Sequence, residues 1–237
     1  MKLFKKSQEK IKKLREYLSE SPEAKFALKI LAFLFPAVLI IDIIPFNKNS
    51  FLGNILSEVH GLAFDVIIFG ILIVVFNKHI EKRNDIKRWQ EEIDDYRGWN
   101  EPEAMHRIVG NIRRLNRAGI SNIDLYFCFL KEARLGDVDL QDSGLRGANL
   151  QEARLWRANL QEAELSEADL RKARLRGANL QGAFLDAADL SGADLKYAKD
   201  LTIAQLSEVK TLFEAKLDPD LEKEMRDKYP HLFEKPK

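Results

Sequence analysis

Residues 148–180 read ANLQEARLWRANLQEAELSEADLRKARLRGANL, with a leucine at every fifth position. The spacing continues in both directions, from Leu125 to Leu195, fifteen leucines in succession. An α-helix turns about 100° per residue, so a five-residue step scatters such leucines around its axis. A straight strand alternates its faces, so an odd period sends successive leucines to opposite sides. A chain that turns a corner every five residues gathers them all on one inner axis. The position two before each leucine fits that geometry: from Ala148 to Ala193 it is alanine ten times running. A narrow coil holds one large and one small inward side chain per edge. The Asn, Asp, Arg, Gln, Glu and Gly between them suit turns and solvent.

This A-(D/N)-L-x-x pattern resembles the pentapeptide-repeat family over about residues 123–201, a third of the chain. The resemblance implies a right-handed quadrilateral β-helix, four units to a turn, in a domain placed at 121–201. Ile123, Cys128, Val138 and Ser143 replace the small alanine at the start, and Leu201 stands where Asp200 was due; both read as transitions into caps, which solenoids require. Because stacked coils repeat every twenty residues, the resemblance also predicts outward columns. Arg134, Arg154 and Arg174 should stack about 4.8 Å apart, with Glu132 and Glu152 as partners. Gln141, Gln161 and Gln181 should form a hydrogen-bonding column, and Trp156 should sit under Arg176 for a cation–π contact. With Phe184, the other outward aromatic of the middle coils, the residues Arg134, Arg154, Arg174, Trp156 and Arg176 make up the candidate interaction face.

Upstream, Phe26 to Ile44 is nearly unbroken apolar sequence, 19 residues long, enough for the hydrocarbon core of a bilayer at helical rise. A second run spans Leu62 to Phe76. Transmembrane helices are predicted over 26–46 and 59–77, with a short outer loop at 47–58. A signal peptide is disfavoured, because the polar segment before the first run is too long and no small-residue cleavage site follows. Orientation follows from the basic residues. Lys2, Lys5, Lys6, Lys10, Lys12, Lys13, Arg15 and Lys25 precede the first run, and Lys78, Lys82, Arg83, Lys87 and Arg88 follow the second, while the loop holds only Lys48. Both ends are therefore expected in the cytoplasm, including the basic segment 1–25. Asp42 and Asp65 fall at similar depth near the outer ends of the two spans. They are a candidate intramembrane polar pair, either a proton or ion site or simply hydrated at headgroup level.

Residues 78–120 read as a helical connector and N-terminal cap. Ile86, Trp89, Ile93 and Tyr96 make an a/d stripe of two heptads, too short for a coiled coil and better read as a helix lying on the next domain, with a dimer stalk as the alternative. Asn100 and Glu103 suggest a capping box ahead of a helix whose apolar face is Met105, Ile108, Val109, Ile112 and Leu115, and which Gly119 ends. Its opposite side, Arg107, Arg113, Arg114 and Arg117, could meet lipid headgroups or plain solvent. Residues 202–237 read as a helical C-terminal cap, with a capping box at Thr202 and Gln205 and a short helix from Asp218-Pro219 to Tyr229-Pro230. Ile203, Leu206, Val209 and Phe213 would cover the open coil end, which would otherwise invite edge-to-edge aggregation.

Little in the sequence speaks for chemistry. His60, His79, His106 and His231 are scattered, and there is no phosphate-binding glycine loop or nucleophile elbow. Cys128 reads as packing. No enzyme, metal site or cofactor is expected. The net charge of +1 predicts no nucleic-acid or acidic partner. Acidic members of the family that the sequence resembles mimic DNA at a topoisomerase. Here residues 121–200 carry 14 acids and 11 bases, and the arginine column interrupts any such negative field. The leading expectation is a membrane-anchored interaction scaffold with an unidentified cytoplasmic protein partner. An oligomeric pore using Asp42 and Asp65 is the alternative, and the DNA mimic ranks below both.

Overall fold

A computed structural model describes residues 51–236, with side chains of the long first helix described from residue 69. The first predicted span, 26–46, lies outside the described residues, as does Asp42. The chain divides between Asn84 and Asp85 into two units. In the first, the described backbone is helical throughout and belongs to α1, Phe51–Asp95, which contains the second predicted span and Asp65. Among the described residues no helix is long and apolar enough to cross a membrane; the side chains of 59–68, half of the second predicted span, are not among those described.

The second unit is a stack of coils between helical caps. Parallel bridges pair residues twenty apart as far as Lys199, in four columns headed by Asp124, Phe129, Arg134 and Asp139. Each column is one edge of the coil. Every leucine from Leu125 to Leu195 is at most 2% exposed, and the small residues two before them are buried alongside. The corners explain the five-residue period. All but the one after Leu135 are four-residue turns closed by a backbone bond to the preceding leucine, for instance Ala153 N to Leu150 O at 3.0 Å. The residue two after every leucine has positive φ, as in a type II turn. Only four of these fifteen are glycine: Gly147, Gly177, Gly182 and Gly192. The others hold a conformation that costs an L-residue roughly 1–2 kcal/mol. The inter-coil ladder offsets it, since every one of these leucines but Leu185 donates its N–H to the coil above, as Leu155 does to Arg174 O at 2.9 Å.

At the N-terminal end, Ile93 and the apolar face of α2, Pro102–Arg117, are buried on the first coil. Ile86, Trp89 and Tyr96 pack against the same core, so the a/d stripe lies on its own domain. The expected capping box is absent. The N-cap is Glu101, one residue later than expected, without a side-chain cap bond and with Pro102 at the first helical position. The other end of α2 is as expected: Gly119, with φ of 83°, donates to Asn116 O, and Ile120 donates to Leu115 O, a Schellman closure.

The C-terminal segment corrects the expected all-helical cap. Thr202 and Gln205 do form a capping box on α3, Ile203–Ser207. The chain then rejoins the coil, with Thr211 bridged to Asp189 and Lys216 to Asp194. Leu212, Ala215 and Leu217 are buried as further repeat residues. The spacing along those columns has lengthened from 20 to 22 residues, because α3 replaces one edge. Helix α4, Pro219–Lys228, and a 3-10 turn over Pro230–Phe233 close the stack, where Leu212 N donates to Leu232 O at 2.7 Å.

Candidate functional site

The Arg134 edge is the most distinctive surface of the coil stack. Arg134, Arg154 and Arg174 are adjacent rungs of one ladder, which continues to Asp194 and Lys216. All three guanidinium side chains are exposed. Among the described residues none has a carboxylate within ion-pair reach, so the expected pairing with Glu132 and Glu152 is not formed. Glu132 instead lies 3.9 Å from Lys131. Both glutamates occupy positive-φ corner positions, which turn them off the edge that carries the arginines. Unit charges about 5 Å apart repel by roughly 1 kcal/mol even at the dielectric of water. The ladder thus holds three like charges in a row without internal neutralisation.

The corner that follows this edge carries Gly136, Trp156, Arg176 and Lys196 on successive coils. The indole of Trp156, 45% exposed, lies across Gly136, where an added Cβ would stand 2.3 Å from its Nε1. The expected contact with Arg176 does not form, because the ring leans toward the preceding coil and Arg176 toward the following one. Arg176 Cζ sits 4.7 Å from the Tyr197 ring, while Arg157 lies 6.0 Å from Trp156 and pairs with Asp137 at 3.2 Å. Arg134, Arg154, Arg174, Trp156 and Arg176 therefore share one side of the domain.

Phe184 does not join them. It stands on the Asp124 edge, two corners away, below Glu164 and Gly144 in its column. That side has more acids than bases, with Arg146 paired to Glu167 and Arg97 paired to Asp124 set among them. Asp124 and Glu164 are rungs, and Asp142, Glu162 and Asp186 occupy the adjacent corners. A recess of about 450 Å³ opens there, lined by Tyr126, Gly144, Glu162, Glu164 and Phe184 among others. Tyr126 lies flat on Gly144, and its hydroxyl donates to Glu164 Oε2 at 2.7 Å. That bond to a carboxylate is the main cause that raises the phenol above its ordinary pKa. Opposite sides of a nearly neutral chain thus carry opposite charge.

The Asp139 edge holds the side-chain ladder that the glutamines were expected to make. Asn179 Nδ2 donates to Asn159 Oδ1 at 3.1 Å and Asn159 Nδ2 to Asp139 Oδ1 at 2.8 Å. The short amide on the flat rung faces its neighbour directly, whereas Gln141 starts at a corner and reaches Asp142.

Sequence reasoning missed the residues that end the ladder. Asn116 places its amide against the first coil like an extra strand, accepting from Asp139 N at 2.9 Å and donating to Asp139 O at 2.7 Å. Arg113 Nη2 donates to Arg134 O at 2.9 Å, and Arg97 donates to Tyr126 O and pairs with Asp124 and Asp94. Arg107 pairs with Glu103 and Glu92, and Arg114 reaches Asn111. The basic side of α2 is thus engaged within its own unit. Cys128 is fully buried, and burial pushes its thiol up to about 11. At Asp189 burial works to raise the pKa, but bonds from Ser191 and Lys210 outweigh it and hold the carboxyl below its usual value. Among the described residues there is no metal-ligating cluster.

A family model matches the coil region. A model described as "Pentapeptide repeats (8 copies)" matches residues 120–157, 139–177 and 173–210. Among solved structures, a pentapeptide repeat protein from the Arabidopsis thaliana thylakoid lumen is 24% identical, over 44% of this chain and 71% of that one, with a TM-score of 0.29. One from Nostoc PCC 7120 is 29% identical, over 46% and 95%, with a TM-score of 0.22. QnrB1, a plasmid-mediated fluoroquinolone resistance protein, is 18% identical, over 47% and 53%, with a TM-score of 0.25. Comparison with curated proteins gave no significant match.

Proposed function

We propose that this chain, whose residues 120–210 carry pentapeptide repeats, is a membrane-tethered, non-enzymatic interaction scaffold. The apolar hairpin of 26–46 and 59–77 holds it in the bilayer with both ends in the cytoplasm, and the Arg134 edge binds an acidic protein surface there. The observation that carries the reading is the column of Arg134, Arg154 and Arg174, three exposed guanidiniums with no carboxylate partner among the described residues. Their backbones are locked into one ladder, so ordering them for a partner costs side-chain entropy alone. Exposed Trp156 beside them is the residue type that anchors interfaces. The tether is supported by the sequence runs and by α1, where Phe69, Leu72, Ile73 and Phe76 are exposed, an apolar surface that a bilayer would cover.

Photo-crosslinking of the full chain in intact cells tests the face. Replacing Arg154, Arg174 and Trp156 with alanine should abolish the adduct while the circular dichroism spectrum of the purified chain stays unchanged. An adduct that survives all three changes ends the assignment. For the tether, the chain should sediment with membranes and leave them only in detergent; recovery in the supernatant after alkaline washing would refute it.

A further inference from the structure

We infer that the acidic partner of the Arg134 edge is the Asp124 edge of a second copy of this chain, so that copies pack side by side in an open row. The inference rests on the reading of the Arg134 edge as a binding face and names its occupant.

The argument is one of register. Asp124 and Arg134 lie ten residues apart in the same coil, on opposite edges, and so do Glu164 and Arg174 two coils further on. A neighbour shifted sideways without rotation therefore sets Glu164, which has no basic partner among the described residues, against Arg174, and Asp124, already paired with Arg97 of its own chain at 3.0 Å, against Arg134, the two about 10 Å apart along the stack. The rung between them is Gly144 facing Arg154. There the missing side chain leaves the Tyr126 ring lying over the glycine, a surface suited to a guanidinium. Both edges inherit their spacing from the same ladder, so the match holds over successive rungs. It stops at the fourth, where Phe184 faces Asp194.

Pure translation also keeps every copy in the same orientation, which is compatible with tethering to one membrane. The contact is heterologous and does not close on itself, so it propagates as a row. Its size predicts its strength. A face about 20 Å high and about 15 Å wide offers about 300 Å² per copy, well below the about 800 Å² per partner of a standard stable interface. The contact is therefore weak in bulk solution and forms where the tether raises local concentration.

The test uses the full chain in its membrane, with a photoreactive phenylalanine at position 156 in two differently tagged copies. The unmodified faces should give a ladder of dimer, trimer and larger adducts that carry both tags, reduced about tenfold in washed membranes when salt is raised from 50 to 500 mM. Arg154→Gln with Arg174→Gln should remove the ladder, and so should Asp124→Asn with Glu164→Gln. Co-expression of these two variants should restore adducts that stop at the dimer, because each supplies one intact face; restoration also shows that both variants are folded. Failure of the mixed pair to crosslink while the parent forms a ladder overturns the inference. So does a dimer that both variants retain. Adducts with other proteins alone end self-association but leave the scaffold standing. The absence of any Arg154- and Arg174-dependent adduct removes both.

Discussion

Replacing Gly136 with alanine probes the placement of Trp156 against the basic face. A Cβ at this position would lie 2.3 Å from the indole Nε1 and 2.4 Å from Cε2, so the ring must swing off the coil. The ring is 45% exposed where it stands. A tryptophan of about 250 Å² thus covers about 135 Å² there, an upper bound of about 3 kcal/mol at 25 cal/mol/Å². Part of that contact is with other neighbours and survives, so the expected loss is about 1.5 kcal/mol. Gly136 lacks positive φ, and alanine there restrains the unfolded chain, which stabilises by about 0.5 kcal/mol. The single variant should therefore be about 1 kcal/mol less stable than the parent. In a Trp156→Ala background the clash is gone, and the same substitution should raise stability by about 0.5 kcal/mol. The assay is urea unfolding of the full chain in mild detergent, followed by circular dichroism at a wavelength dominated by strand. The reversal of sign between backgrounds is the informative result. An equal effect of Gly136→Ala with and without the indole would refute the stacked arrangement.

Leu155→Ala, at the centre of the coil, should cost about 3–4 kcal/mol, because the inward position is fully buried and flanked by coils that cannot collapse. Gln161→Ala on the surface should stay within about 0.5 kcal/mol in the same unfolding assay. Cys128 should label with a thiol reagent at pH 8 at least about 100-fold more slowly in the native chain than in denaturant. Its thiol is raised from 9.0 to about 11 and is buried besides, and a rate ratio near unity would show an open coil. The same shift makes native stability fall as pH rises from 9 through about 11, since only the unfolded thiol ionises freely there. Asp189 acts in the opposite direction. Its folded pKa lies below 3.8, so its contribution is complete above that value and is lost as pH falls through the lower one. Asp189→Asn should therefore be less stable than the parent at pH 7, and the gap should close in acid; a constant gap across pH 2 to 7 would show that the carboxylate charge is not involved.

The coil was legible because its sequence rule is one-dimensional. Leucine and alanine at fixed offsets fix which side chains point inward, and twenty-residue stacking then fixes the columns, so the adjacency of Arg134, Arg154 and Arg174 could be written down in advance. The direction in which a long side chain leans could not. Trp156 and Arg176 occupy the same corner of neighbouring coils as expected, yet each turns away from the other, toward Gly136 and Tyr197, a choice set by which neighbour leaves space. Phe184 is outward and aromatic like Trp156, but its number places it ten residues out of phase with the arginines, on the far side. The two coil edges at Thr211 and Lys216 are hidden in the sequence because α3 shifts their phase by two residues. Leu212 and Leu217, five apart with Ala215 between, were the available signal. The ladder cap by Asn116 left none, since one asparagine near a helix end has many uses.

The excursion through α3 has a consequence for how this architecture can change. A helix takes the place of one side of the square, and the parallel pairing resumes beyond it with the next rung in position. The stack thus tolerates foreign material spliced in at a vertex, provided that the entry and exit points remain one edge apart. New binding elements could be added to such a fold at any of its corners while the rungs above and below keep their places.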